Sequence, residues 1–214
     1  MTRRSRILLF AAIALNLATE CFAATPYWKG NERLQRGDYK GAVKALTEAI
    51  ENDPTHFGAL LNRGLAYERL QEFDDALADY SRAIEIVPQF ARAFHYRGHV
   101  HAALGQYERA VENYDGALKH ADSMVIEAQG QTIALDKPAV YYDRGNALYN
   151  LKKFEEAVAN YTSAIALTPG FAAAHNNRGV VHSELGDMKA ACVDRSKACE
   201  LRFELACKWI KANC

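Results

Sequence analysis

The chain has no surplus of either charge: 26 Lys+Arg face 26 Asp+Glu in 214 residues. A nucleic-acid-binding surface needs a dense excess of basic side chains, so that function class is excluded. Glycine and proline are sparse, at 13 and 5, and half the residues are hydrophobic. That balance excludes a collagen-like or disordered chain. The sequence has no apolar run of the roughly 20 residues that a bilayer span requires. It also has no HExxH, G-x-S-x-G, S-x-x-K, C-x-x-C or phosphate-binding glycine loop, so an enzyme is the weaker class and no cofactor is expected.

What is present begins with a leader pattern. Arg3, Arg4 and Arg6 precede an uncharged, mainly apolar run over 7–18, broken by Asn16. A basic start, a short apolar stretch and small residues after it describe a secretory signal peptide. Cleavage after Ala23 puts Cys21 and Ala23 at the small-residue positions, making 1–23 the signal and 24–214 the mature chain. A lipid anchor on Cys21 is disfavoured by Glu20, and an uncleaved anchor is a third reading. Export places the protein in the periplasm or outside the cell.

Self-comparison finds one repeat used five times. Glycines at 30, 64, 98, 145 and 179 are spaced 34, 34, 47 and 34. Alanines at 42, 76, 110, 157 and 191 follow the same series, as do alanines at 49, 83, 117, 164 and 198. The single long step is one repeat plus a 13-residue insertion. The units are 23–56, 57–90, 91–124, 138–171 and 172–205, with 125–137 inserted. Each unit holds two stretches of helical apolar periodicity joined by a short turn. Gly37, Gly105 and Gly186 mark three of these turns as helix C-termini, Asp38 and Asp187 stand as caps, and Pro54, Pro88 and Pro169 stop the second helix.

This pattern resembles the tetratricopeptide repeat. In the second unit the likeness rests on Leu60, Gly64, Tyr67, Ala76, Tyr80, Ala83 and Pro88. In the fourth it rests on Tyr141, Gly145, Leu148, Ala157, Tyr161, Ala164 and Pro169. The first unit departs with Arg33 and Leu46, and the fifth with His182 and Arg195. The resemblance implies an all-α fold: a right-handed α-solenoid of five helix hairpins, with 203–213 as a capping helix that turns Leu205, Trp209 and Ile210 to one side. It also implies a concave groove lined by the first helix of each pair, where members of the family hold a partner segment.

Removing the signal leaves Cys192, Cys199, Cys207 and Cys214. The two members of each helix's pair are about 10.5 Å apart along the axis, too far to bond. Across two antiparallel helices, residues that face each other share a constant sum of numbers. Cys199 with Cys207 and Cys192 with Cys214 satisfy one sum, which predicts two disulfide rungs. The stretch Ala198-Cys199-Glu200-Leu201 with Ala206-Cys207 resembles the cysteine-rich Sel1-like repeat proteins of bacteria, in which cysteines of this spacing bridge neighbouring helices.

Groove positions carry Tyr27, Asn31, Asn62, Arg92, His95, Tyr96, His99, Tyr142, Asp143, Asn146, Asn176 and Asn177. Asn amides donate and accept at once, which suits capture of an extended backbone, and tyrosines add apolar area with a polar tip. Some tetratricopeptide domains clamp a C-terminal carboxylate with lysines, asparagines and an arginine. Asn31, Asn62 and Arg92 match three such places, but Tyr27 and Tyr96 stand where the basic residues belong. His95 and His99, at i and i+4, can chelate a metal with Asp143 as a third ligand, the alternative being a metal-dependent binding protein or hydrolase. Segment 125–137 is a small hairpin or a helix extension, with Asp136 as the next cap. The leading expectation is a non-enzymatic scaffold binding a protein or peptide partner in the cell envelope.

Overall fold

The computed structural model describes residues 25–123, 126–128 and 131–214. The leader pattern and its cleavage position lie outside them. Two compact units divide the chain, one ending at Pro88 and one beginning at Gln89. Among the described residues no helix is long and apolar enough to cross a membrane.

The first unit is two helix hairpins, α1 (Pro26–Gln35) with α2 (Tyr39–Asn52), and α3 (Phe57–Arg69) with α4 (Phe73–Ile86). The second holds α5 (Ala91–Ala103) with α6 (Tyr107–Lys119), α7 (Lys137–Asn150) with α8 (Phe154–Leu167), and α9 (Ala172–Glu184) with α10 (Met188–Glu200), followed by α11 (Glu204–Asn213). Among the described residues the fold is therefore five helix hairpins and a final helix, with one strand pair between the third and fourth hairpins. That pair, β1 (Ile126–Ala128) and β2 (Gln131–Ile133), is antiparallel, with Ile126 opposite Ile133 and Ala128 opposite Gln131. The insertion is thus a strand hairpin and not a helix extension.

Side chains start several helices by accepting from an otherwise unpaired backbone N–H. Asp38 caps α2 through Gly41 N at 2.9 Å, Asp136 caps α7 through Ala139 N at 3.2 Å, and Asp187 caps α10 through Ala190 N at 2.9 Å. Within every hairpin the turn needs one residue with left-handed backbone. Gly37, Gly105 and Gly186 supply it in three, at φ 79°, 73° and 81°. Gln71 and Lys152 hold the same place in the other two, at φ 62° and 61°, where a side chain is strained.

The small-residue ladders are where the paired helices cross. Ala42, Ala76, Ala110, Ala157 and Ala191 are all 0% exposed, and so are Ala83, Ala117, Ala164 and Ala198. A Cβ added to Gly64, Gly98 or Gly145 would come within 2.6–2.7 Å of the ring of Tyr80, Tyr114 or Tyr161, the residue sixteen positions on. Those three rings are at most 1% exposed, so each fills the space that its glycine leaves. In the first hairpin Leu46 takes the ring's place above Gly30, and in the last Arg195 does so above Gly179.

The end of the second unit is closed by α11 against α10. Ala206 is buried, Trp209 and Ile210 are half-buried, and the Trp209 ring lies 3.9 Å from the Arg195 guanidinium. Leu205, expected on that apolar side, is instead 67% exposed. One step of a helix turns a side chain by about 100°, and Ala206 has the inward position. Cys192–Cys214 and Cys199–Cys207 are both bonded, with Cα separations of 6.0 and 4.8 Å.

Candidate functional site

Within each unit, neighbouring first helices are tied together by polar side chains. In the unit ending at Pro88, Asn62 Nδ2 on α3 donates to Asn31 Oδ1 on α1 at 2.7 Å. The Tyr27 and His56 rings are in tilted contact, their centroids 4.4 Å apart. In the unit beginning at Gln89 the same arrangement recurs one repeat apart. Asn177 Nδ2 on α9 donates to Asn146 Oδ1 at 2.9 Å and to Tyr142 Oη at 3.0 Å, both on α7. Asn177 Oδ1 accepts from Asn176, and Asn146 Oδ1 also accepts from the buried Tyr161 hydroxyl. The asparagines therefore spend much of their amide capacity on each other. These bonds join neighbouring first helices side by side within each unit.

Helices α5 and α7 are joined by a different device. His95 Nε2 and His99 Nε2, one turn apart on α5, lie 2.9 and 2.7 Å from the same oxygen, Asp143 Oδ2 on α7. For both contacts to be hydrogen bonds, each Nε2 must carry its proton. Burial pushes the Asp143 carboxyl up, but the bonds from His95 and His99 outweigh it and hold it below the ordinary carboxylate value. The imidazoles meet edge to face with centroids 4.5 Å apart, and the ring of Tyr114 stands 5.8 Å from His95 and 6.1 Å from His99. His95 was expected on the groove surface. It is 8% exposed because it packs against Tyr114 beneath the helix face, so it offers a partner little area. His99 and Asp143 are half-buried.

The remaining expected residues on this face are half-buried as well. Arg92 and Tyr96 are half-buried neighbours on α5, with the guanidinium 6.0 Å from the ring centroid. Tyr142 packs on Phe171 at 4.9 Å.

A second ladder escaped the sequence reading. The residue before each of the last four ladder glycines is arginine: Arg63, Arg97, Arg144 and Arg178. Each reaches the residue sixteen positions on. Arg63 and Arg178 make paired bonds to the carboxylates of Asp79 and Asp194 at 2.7–2.8 Å. Arg97 and Arg144 bond the amide oxygens of Asn113 and Asn160 at 2.7 and 3.0 Å, and those amides donate back to the carbonyls four residues earlier. The arginines also reach backwards to the preceding hairpin: Arg63 to Thr47, Arg178 to Thr162, and Arg144 to Asp115. The signal was available in the sequence as an Arg-Gly pair repeating at the ladder spacing, with Asp or Asn sixteen residues later.

Models described as "Tetratricopeptide repeat" match residues 27–91 and 91–120, and one described as "TPR repeat" matches 145–186, together more than half of the chain. An Hsp70-Hsp90 organizing protein of Triticum aestivum is 27% identical over 197 residues, covering 80% of this chain and 34% of that protein. Serine/threonine-protein phosphatase 5 of Homo sapiens is 30% identical over 132 residues, 61% of this chain and 24% of that one. The chain thus spans about a third or less of the length of these curated relatives. Among solved structures, MamA 41-end from Desulfovibrio magneticus RS-1 superposes with a TM-score of 0.70 at 20% identity, covering 81% of this chain and 90% of that chain. That likeness is one of fold.

Proposed function

Since the chain belongs to the tetratricopeptide repeat family, we propose that it is a non-enzymatic scaffold that captures an extended segment of a partner protein in the cell envelope. The observation that carries this reading is the face formed by α5, α7 and α9. Three successive first helices are linked side to side by His95 and His99 to Asp143, and by Asn177 to Tyr142 and Asn146. Between those links stand half-buried aromatic and cationic side chains, Tyr96, Arg92 and Tyr142. A rigid polar-aromatic surface of this kind can accept an extended chain with little ordering cost. Relatives named as Hsp70-Hsp90 organizing proteins support a role in bringing proteins together. The basic leader pattern and the two cystine bridges support an exported setting, since disulfides persist in oxidising compartments.

The test places a photo-crosslinking residue at Tyr96 and, as control, at exposed Glu155 at the start of α8. Crosslinking in intact cells is expected to give a discrete adduct from position 96 and none from 155, and Arg92→Glu should reduce its yield several-fold. Equal labelling from both positions would overturn the assignment of the first-helix face. A periplasmic fraction lacking the protein would overturn the setting.

A further inference from the structure

The carboxylates that the repeats bury come with a permanent cation in two cases. Asp79 is held by Arg63 and Asp194 by Arg178, each at 2.7 Å. Asp143 is different. Among the described residues its ion-pair partners are His95 and His99 alone, two groups that are neutral when deprotonated. Two imidazole nitrogens and one carboxylate oxygen converge so that their ligand atoms all lie within 4.8 Å of one another. We propose that His95, His99 and Asp143 form a binding site for a divalent transition ion, with zinc(II) the ion best suited to this donor set.

The placement follows from the sequence. Histidines at i and i+4 share one face of α5, and Asp143 on α7 comes beside them in spite of the insertion between their helices. Tetrahedral zinc with bonds of about 2.0–2.1 Å holds its donors roughly 3.3 Å apart. The observed 2.9 and 2.7 Å between Asp143 Oδ2 and the two nitrogens require the rings to withdraw by about half an ångström. In doing so each Nε2 gives up its proton to become a ligand, and each Nδ1 takes the N–H instead. The His95 side chain is 10% exposed and Asp143 22%, but His99 is 34%. His95 and Asp143 are thus largely enclosed, and a fourth ligand, water or a donor from outside, would enter on the more open His99 side. The proposal is independent of partner capture, because it concerns the isolated chain.

The experiment uses the full chain without a histidine tag, disulfides intact, stripped with EDTA and titrated with zinc chloride by calorimetry. The expected result is one ion per chain. His99→Gln and Asp143→Asn, both close in size to the native side chain, should each weaken binding by at least about tenfold. Cobalt(II) in place of zinc should give a visible tetrahedral band that both variants lose. If neither variant folds, histidine NMR of the unaltered protein decides: two imidazole side chains of the seven should shift on adding zinc. Absence of binding, unchanged affinity in a folded variant, or shifts at other histidines would overturn the site and leave the cluster as a hydrogen-bonded tie between α5 and α7.

Discussion

At Gly145 a single hydrogen stands where any other residue would place a carbon 2.7 Å from Tyr161 Cε1. The ring is 1% exposed and has no room to retreat. Gly145→Ala is therefore expected to destabilise by about 1–2 kcal/mol, an overpacking cost partly offset by alanine's better helix propensity. Gly170→Ala is the control, since nothing lies within 4 Å of its added carbon, and its urea midpoint should hardly move. Equal midpoints for the two variants would show that the ring relaxes after all. The glycine ladder was legible in the sequence because a close crossing tolerates only one residue type. The arginine beside it is harder to see, because its partners are not of one type: Asp79 and Asp194 end the series, with Asn113 and Asn160 between them. A charge-pair search sees only half of that series, and the other half works through a carboxamide oxygen. His95 shows the converse limit. Its position on the helix was legible, but whether a side chain lies on the face or under it depends on the neighbouring Tyr114 ring.

On the scale of the helix hairpin, the turn geometry is common to all five repeats while the turn residue is not. Gly37, Gly105 and Gly186 meet the left-handed requirement without strain, whereas Gln71 meets it at φ 62° with an exposed side chain. Gln71→Gly should therefore stabilise the chain by about 0.5–1 kcal/mol, the relief of left-handed strain less the added freedom of the unfolded state. An increase in thermal midpoint checks it, and a decrease would mean that Gln71 contributes something besides backbone. Lys152 is a poorer choice for the same change, because its ammonium lies 5.8 Å from both the Tyr149 and Phe154 rings. Sequence periodicity gave these hairpins and most of their caps, since both depend on residues close in the chain. It leaves the insertion open between strand pair and helix, because two short apolar runs on either side of Gln-Gly-Gln in a thirteen-residue segment suit either until they find each other.

Taken whole, the chain invests its covalent crosslinks at one end. Cys192–Cys214 closes a separation of 22 residues and Cys199–Cys207 one of 8. Loop entropy then makes the first worth about 3.4 kcal/mol and the second about 2.5. Replacing Cys192 and Cys214 by serine should accordingly lower the urea midpoint more than replacing Cys199 and Cys207. The reverse order would indicate that packing of α11 through Trp209 and Arg195, and not chain closure, sets the stability of that end. The pairing was legible from residue numbers alone, as α10 and α11 are short, adjacent and joined by a tight turn. The face formed by α5, α7 and α9 was legible as a set of positions, but the bonds that its asparagines make with one another appear only when the helices are side by side.

The contact between Arg144 and Asp115 has a further consequence. In the other repeats the backward reach of the arginine spans sixteen residues, as from Arg63 to Thr47 and from Arg178 to Thr162. From Arg144 it spans twenty-nine, the same reach lengthened by the thirteen inserted residues. The strand pair therefore leaves the stack and rejoins it without displacing the hairpins on either side. The repeat frame therefore tolerates added chain between α6 and α7, and lengthening the insertion further should cost only about 0.6 kcal/mol per doubling.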